Sequence, residues 1–352
     1  MSPGPWLRLG VTVVALAGLA LVLWNFFMRG GTSVGIPPAG GQDPALAILA
    51  LADESGAVVV TAQHYLGIRR DGSIAWRNPA ASELGLGVAC RTRCPDVILS
   101  GGMQATNDPS VGTPRPTAPM GRAAPAFSDF RVAVLDATPG QELIFRQGRS
   151  GLASVDLGGG HTLSVDGWIP QWSRSSDGSA GLLLARNPQR QRIGYFLTKT
   201  SSGWSRSGER NLSSMSGCAG PGGRWLVADP VPTIRTATSA HPVTGVADLG
   251  NCAFASEGAI VATYTMTSQG SGSAVAIVSD SGETRWSETV GYEARLAANP
   301  RRPQFVAVGQ GKAVVRGPDG RILDTVENVI DATFSRTGTL ITLSAQGNVT
   351  WH

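Results

Sequence analysis

The stretches TAQHYLGIRRDGSIAW (61–76), VGQGKAVVRGPDGRIL (308–323) and LSAQGNVTWH (343–352) share one pattern and decide the fold. In each, a glutamine precedes a short strand in which apolar residues alternate with others. In the first two, a glycine turn and another strand follow, as in a β-hairpin. The third stretch stops where the others begin that last strand, so the final repeat is predicted to end one strand short.

Seven longer stretches repeat a related pattern of apolar residues, a small polar turn and a second apolar strand. They cover residues 45–62, 86–102, 169–186, 212–229, 245–264, 292–310 and 329–346. Most of their turns recur at intervals of roughly 35 to 45 residues, which is typical of the four-stranded unit of a β-propeller. The interval between the second and third stretches is about twice as long.

A second hairpin follows most of these stretches, and it recurs at residues 65–77, 130–147, 274–288 and 312–324. The hairpin at 130–147 is interpreted as the second half of the repeat that starts at residue 86. Gly72 and Trp76 have the same spacing as Gly282 and Trp286. A large aromatic at this point is predicted to pack between adjacent sheets.

Two of these stretches resemble known repeat families. ATFSRTGTLITLSAQGNVTW (332–351) resembles a WD40 blade, although the GH and WD dipeptides of that family are absent. VAVLDATPGQELIF (132–145) is similar to a quinoprotein-type (PQQ-like) repeat, with Phe145 where those repeats usually place tryptophan. The resemblance implies a propeller over residues 45–352 and implies little about function, because propellers serve many functions.

The fold class that we expect is therefore all-β, a seven-bladed β-propeller preceded by one N-terminal transmembrane helix. Six or eight blades are the alternatives for the propeller, and residues 152–167 are either an additional hairpin or a long connector. An irregular β-sandwich is the alternative architecture, because all-β chains share the same turn chemistry.

The N-terminal segment predicts a membrane anchor. Residues 10–28 contain no charge, and as a helix they would match the thickness of a bilayer core. We interpret residues 1–9 as a flank, 10–28 as the transmembrane helix, 29–44 as a Gly/Pro-rich linker and 45–352 as the propeller domain. A cleaved signal peptide is the alternative, although the apolar run is long for one.

The four cysteines predict two disulfides and a compartment. Cys90 and Cys94 flank one repeat turn, while Cys218 and Cys252 occupy nearly equivalent places in consecutive repeats. We predict the pairs Cys90–Cys94 and Cys218–Cys252, with free core thiols or a metal site as alternatives. Disulfides and the charge of Arg8 favour the bacterial inner (cytoplasmic) membrane, with the N-terminus cytoplasmic and the propeller periplasmic or extracellular.

The search for catalytic chemistry predicts no catalytic, cofactor or metal residues. The chain has no nucleophile elbow or phosphate-binding loop. Quinoprotein dehydrogenases carry an adjacent Cys-Cys pair and an acidic calcium site, and this chain has no adjacent cysteines. The aspartates in predicted turns are interpreted as turn-capping residues: Asp53, Asp177, Asp280 and Asp319. No run of five basic residues occurs, so nucleic acid is not an expected partner.

A proline-rich insertion at 103–127 is the candidate partner-binding loop. Its prolines are Pro109, Pro114, Pro116, Pro119 and Pro125. A disordered surface loop is the alternative. We expect a non-catalytic, membrane-anchored interaction scaffold, assembly factor or accessory subunit of a membrane or envelope complex. An extracytoplasmic enzyme or ligand-binding sensor that uses the propeller channel is the second hypothesis.

Overall fold

The structure is a computed structural model that describes residues 32–35, 45–50, 56–61, 64–79, 97–99, 103–105, 131–136, 143–147, 152–168, 170–267, 270–335 and 337–352. Every strand pair in these ranges is antiparallel. No helix within them is long and apolar enough to cross a membrane. The predicted span at residues 10–28 lies outside the described residues.

The described strands begin with β1 (Thr32–Gly35) and continue through eight sheets that follow one another along the chain. Sheet 1 contains β2 (Ala45–Ala50), β3 (Gly56–Thr61), β4 (His64–Arg69) and β5 (Ile74–Pro79). Sheet 2 contains β6 (Val97–Leu99) and β7 (Met103–Ala105). Sheet 3 contains β8 (Arg131–Asp136), β9 (Leu143–Gln147), β10 (Ala153–Asp156) and β11 (Thr162–Val165). Sheet 4 contains β12 (Gln171–Arg174), β13 (Ala180–Arg186), β14 (Arg192–Thr200) and β15 (Gly203–Asn211).

The second half of the chain repeats the same four-stranded unit. Sheet 5 contains β16 (Gly217–Gly220), β17 (Arg224–Ala228), β18 (Pro232–Arg235) and β19 (Ala240–Pro242). Sheet 6 contains β20 (Asn251–Phe254), β21 (Ala259–Thr267), β22 (Gly270–Val278) and β23 (Thr284–Val290). Sheet 7 contains β24 (Arg295–Ala298), β25 (Phe305–Gly309), β26 (Lys312–Arg316) and β27 (Ile322–Glu327). Sheet 8 contains β28 (Val329–Phe334), β29 (Leu340–Ser344), β30 (Asn348–Trp351) and β1.

Sheet 8 joins the two ends of the described chain. Its C-terminal part supplies three strands, which confirms that the last repeat ends one strand short. Strand β1 pairs with β30, with Thr32 opposite Trp351 and Gly35 opposite Asn348. These residues lie in the segment predicted to be a linker, so that interpretation is wrong for Thr32–Gly35. The physical reason is that β30 would otherwise leave its edge hydrogen-bonding groups unpaired, and β1 satisfies them.

Apolar clusters lie between consecutive sheets from sheet 3 to sheet 8, and another joins sheet 8 to sheet 1. In β13, Leu183 faces a cluster shared with sheet 3, and its neighbour Leu182 faces a cluster shared with sheet 5. Both faces of such a strand are buried, which explains its continuous apolar sequence. Val59 of sheet 1 packs in one cluster with Leu343 of sheet 8. Four-stranded sheets that pack face to face in chain order, with the last against the first, are the arrangement of a β-propeller.

The region between residues 86 and 167 differs from the expectation. Residues 130–147 do not complete the repeat that starts at residue 86, because β8 and β9 pair with the hairpin β10–β11 in a sheet of their own. Residues 152–167 therefore contain an additional hairpin and not a connector. Within the stretch predicted as 86–102, β6 pairs forward with β7, which lies in the proline-rich insertion. Sequence spacing alone does not specify which hairpins share a sheet.

The predicted disulfide between Cys218 and Cys252 is confirmed. Each cysteine is the second residue of the first strand of its sheet, and the two Cα atoms are 5.9 Å apart. Both side chains are buried in the cluster between sheets 5 and 6. Neighbouring sheets thus place equivalent residues side by side. Cys90 and Cys94 lie outside the described residues, and their pairing stays a prediction.

Trp286 packs against the next sheet, as its spacing from Gly282 predicts. A Cβ atom on Gly320 would lie 2.1 Å from Cγ of Trp286, so only glycine fits beneath the ring. The guanidinium carbon of Arg316 lies 4.1 Å from the centre of the ring. Arg316 also donates a hydrogen bond of 2.7 Å to Glu288. The side chain of Trp76 lies outside the described residues.

The sheets have two distinct ends, which we name by their loops. In each four-stranded sheet, the first and third turns lie at one end, called the turn face. The second turn and the connection to the next sheet lie at the other end, called the connector face. Strand β1 begins at the turn face, because Thr32 pairs with the last residue of β30. The chain therefore enters the described structure on the side opposite the connector face.

Candidate functional site: an arginine-lined pocket

The turn face carries aspartates that tie turns together. Asp177 accepts hydrogen bonds from Ser175 Oγ at 2.6 Å and from the amide of Ser179 at 3.0 Å, which confirms its predicted capping role. It also accepts from the amide of Gly222 in the next sheet at 3.0 Å. Burial opposes ionisation, but the hydrogen bonds from Ser175, Ser179 and Gly222 outweigh it and lower the pKa of Asp177 to about 2.

The other turn aspartates have different roles. Asp319 accepts a hydrogen bond from the amide of Arg321 at 3.1 Å, as predicted for a capping residue. Asp280 does not cap its own turn. It accepts from the amide of Gly258 at 3.1 Å and forms an ion pair with Arg224 of the preceding sheet. The prediction that Asp280 caps its own turn is therefore wrong, because the turns of adjacent sheets lie close enough to share its carboxylate. Asp53 lies outside the described residues.

The proposed partner-binding loop is not tested by the structure. Its prolines, Pro109, Pro114, Pro116, Pro119 and Pro125, all lie outside the described residues, and only Met103–Ala105 of the insertion is described. In the described part of the chain, no group of three or more His, Cys, Asp or Glu side chains converges. The expectation of no metal, cofactor or catalytic residue stays a prediction.

The connector face has an open pocket lined by three arginines. Its volume is about 500 Å³, and its lining residues come from the end of β13, the following turn, the start of β14, the end of β15 and the residue after it. They are Arg186, Arg190, Gln191, Arg192, Asn211 and Leu212. All six come from sheet 4 and its connection to sheet 5, because antiparallel pairing brings the end of β15 beside the start of β14.

Arg190 has an unusual backbone conformation in the turn that forms the pocket rim. Its φ is +64°, and its amide donates a 2.8 Å hydrogen bond to the carbonyl of Asn187. Glycine occupies the corresponding position in other hairpin turns, such as Gly178 and Gly282. A non-glycine residue with positive φ is strained by about 1 kcal/mol or more. The chain therefore holds an arginine at a position where glycine would be less strained.

The three pocket arginines are not neutralised by acidic residues of the described chain. Among the described residues, no carboxylate oxygen forms an ion pair within 4.0 Å of a guanidinium nitrogen of these three arginines. Carboxylates of this region are engaged elsewhere: Asp229 pairs with Arg210 and Arg235, and Glu209 pairs with Arg206. Asp166, whose amide donates a hydrogen bond to the carbonyl of Arg186, accepts a hydrogen bond of 3.0 Å from the amide of Trp168. The pocket is therefore a concentration of positive charge that faces solvent.

Exposed apolar side chains lie on the same face as this charge. Trp168 is 68% exposed, and the guanidinium carbon of Arg186 lies 5.1 Å from the centre of its ring. Leu152 and Val231 lie in second turns on the same face and are 77% and 44% exposed. Arginine and tryptophan are the side chains most often found at energetically important positions of protein interfaces.

Sequence patterns did not single out this pocket. The segment RNPQRQR (186–192) carries three arginines in seven residues, but interruptions by Asn187 and Pro188 hide it from a search for basic runs. The signal in the sequence that could have indicated the pocket is Arg190, at the position of a hairpin turn where other turns have glycine. Trp168 lies in a connection between sheets and has no periodic pattern, so its exposure required the tertiary structure.

Comparison with known proteins supports the fold. No family model matches the chain, and no curated protein matches it significantly. The quinohemoprotein alcohol dehydrogenase from Comamonas testosteroni matches with a TM-score of 0.50 at 8% identity, covering 91% of this chain and 75% of that one. Streptogramin B lyase matches at 0.44 and 9% identity, covering 92% of this chain and 97% of that one. The WD40 beta propeller domain of Doa1 matches at 0.32 and 10% identity, covering 63% and 92%. The likeness to the dehydrogenase, at this identity, is one of fold alone, and it agrees with the antiparallel four-stranded sheets of this chain, the all-β architecture of β-propeller proteins.

Proposed function

We propose that this protein is a membrane-anchored, non-catalytic β-propeller that acts as an interaction scaffold, assembly factor or accessory subunit of a membrane or envelope complex. The carrying observation is the arginine-lined pocket with exposed Trp168 on the connector face. A charged, partly apolar concave surface has the composition of a protein-binding site. Seven described sheets have four strands, as a blade does, and sheet 2 has two described strands, so we propose seven blades with eight as the alternative.

The proposed anchor gives this surface an orientation. The span at residues 10–28 would end four positions before Thr32, where β1 starts at the turn face. So short a connection would hold the turn face toward the membrane and leave the connector face directed away from it. The buried disulfide Cys218–Cys252 supports an oxidising compartment on the periplasmic or extracellular side.

Affinity purification of the full chain from its native membrane tests the proposal. We expect an integral membrane or envelope protein to copurify in stoichiometric amount. Purification without any such partner, repeated after mild crosslinking in intact cells, would contradict the interaction function. Protease treatment of intact spheroplasts tests the orientation, because a body on the outer side is digested without membrane disruption. Protection until the membrane is broken would contradict the proposed side.

A further inference from the structure

We infer that the connector-face pocket binds an acidic segment of a protein partner. The carboxylates of that segment would pair with Arg186, Arg190 and Arg192, and one of its apolar side chains would pack beside Trp168. This inference rests on the proposed interaction function and names the chemistry of the partner.

The charge of the pocket selects for anions. Three guanidinium groups line a cavity of about 500 Å³, and within the described ranges no carboxylate forms an ion pair with any of them. Arginine forms paired hydrogen bonds to carboxylates, which makes it suited to binding Asp and Glu side chains. Like charges held together repel one another, so an anionic segment would relieve that repulsion.

The strained turn supports a role for Arg190 in binding. Glycine would relieve the positive φ of +64°, yet the chain carries a long cationic side chain there. Arg190 is exposed and forms no ion pair with the described carboxylates, so its side chain has no evident role in stability. Backbone strain of this kind is typical of binding sites.

The surroundings favour a polypeptide over a small anion or a lipid headgroup. Trp168, Leu152 and Val231 expose apolar surface on the same face. A free anion would leave that surface unused, whereas a peptide offers apolar and acidic side chains together. A lipid headgroup would require the connector face to meet the membrane, but the chain enters β1 from the opposite face.

Binding of a synthetic acidic peptide to the full chain in neutral-lipid nanodiscs tests the inference. The probe is a glutamate-rich dodecapeptide with a central leucine, and the control probe has glutamine in place of each glutamate. We expect the acidic peptide to bind, the control to bind at least about tenfold more weakly, and added salt to weaken the difference. Equal binding of both peptides would overturn the inference. Displacement of the peptide by inorganic phosphate or by phosphatidylglycerol vesicles at lower concentration than the peptide itself would also overturn it, since either would identify a different ligand.

The decisive variant is R190G, because glycine suits the turn. We expect R190G to unfold at the same temperature or higher and to bind the acidic peptide about tenfold more weakly, for loss of one charge-assisted contact. The matched control R321Q removes an exposed arginine from a turn on the other face, and it should leave peptide binding unchanged. Unchanged binding by R190G, or equal loss in both variants, would refute the pocket as the site.

Copurification separates this inference from the proposed function. If the wild type and R190G recover the same partner equally, the interaction function stands and the acidic-segment inference fails. If neither recovers a partner, yet peptide binding depends on Arg190, the interaction function fails and the pocket remains an anionic-peptide site.

Discussion

Removal of the disulfide between sheets 5 and 6 should produce a large and specific loss of stability. The bond joins Cys218 and Cys252, which are 34 residues apart, and both side chains are buried between the two sheets. In the chain-entropy model, closing a loop of roughly 35 residues in the unfolded state contributes about 4 kcal/mol of stability at 25 °C. The double variant C218A/C252A should therefore lower the free energy of unfolding by about that amount.

The measurement is chemical denaturation of the full chain in detergent, followed by tryptophan fluorescence under non-reducing conditions. The double variant C90A/C94A is the matched control. If Cys90 and Cys94 form the predicted disulfide, it closes a loop of only about five residues, and the same model gives about 2 kcal/mol. A C218A/C252A midpoint equal to that of the wild type would refute the argument. A reducing agent that lowers the midpoint of C90A/C94A, but not that of the variant in which all four cysteines are alanine, would support it.

Three further predictions concern turns and sheet closure. G320A should lower the unfolding midpoint more than G311A. Gly320 and Gly311 both have positive φ, but only Gly320 lies against Trp286. Equal shifts of the midpoint would refute close packing as the reason. Asp177 has a folded pKa of about 2, so its hydrogen bonds stabilise the fold above pH 4 and are lost as the pH falls from about 4 to 2. Because solvent screens the exposed side chain of Asp177, we expect D177N to remove only about 1 kcal/mol of this pH-dependent stability. The measurement is the difference in the free energy of unfolding between pH 6 and pH 2.5. An unchanged pH profile would contradict the assignment. Deletion of Thr32–Gly35 should leave β30 with an unpaired edge and accelerate limited proteolysis, and an unchanged digestion rate would contradict closure by β1.

The amino-acid sequence by itself determined the local structure of this protein. Alternating apolar residues and turn glycines such as Gly72 and Gly282 specify strands and hairpins, because strand periodicity and positive φ are local properties. Their recurrence predicted the four-stranded sheets of a propeller, and the equivalent positions of Cys218 and Cys252 predicted a disulfide between neighbouring sheets. Each of these features depends on residues close in sequence or on a regular repeat.

Only the tertiary structure decided which distant segments meet. Strand β1 closes sheet 8 through backbone hydrogen bonds, which carry little side-chain specificity, so Thr32–Gly35 resembled a linker in the sequence. Residues 130–147 likewise showed a clear hairpin but not the sheet to which it belongs. The pocket arose from strand ends and a turn whose individual patterns are ordinary. Its charge became apparent once the fold paired Asp229 and Glu209 with other arginines. Arg186, Arg190 and Arg192 were left without an ion pair to a carboxylate of the described chain.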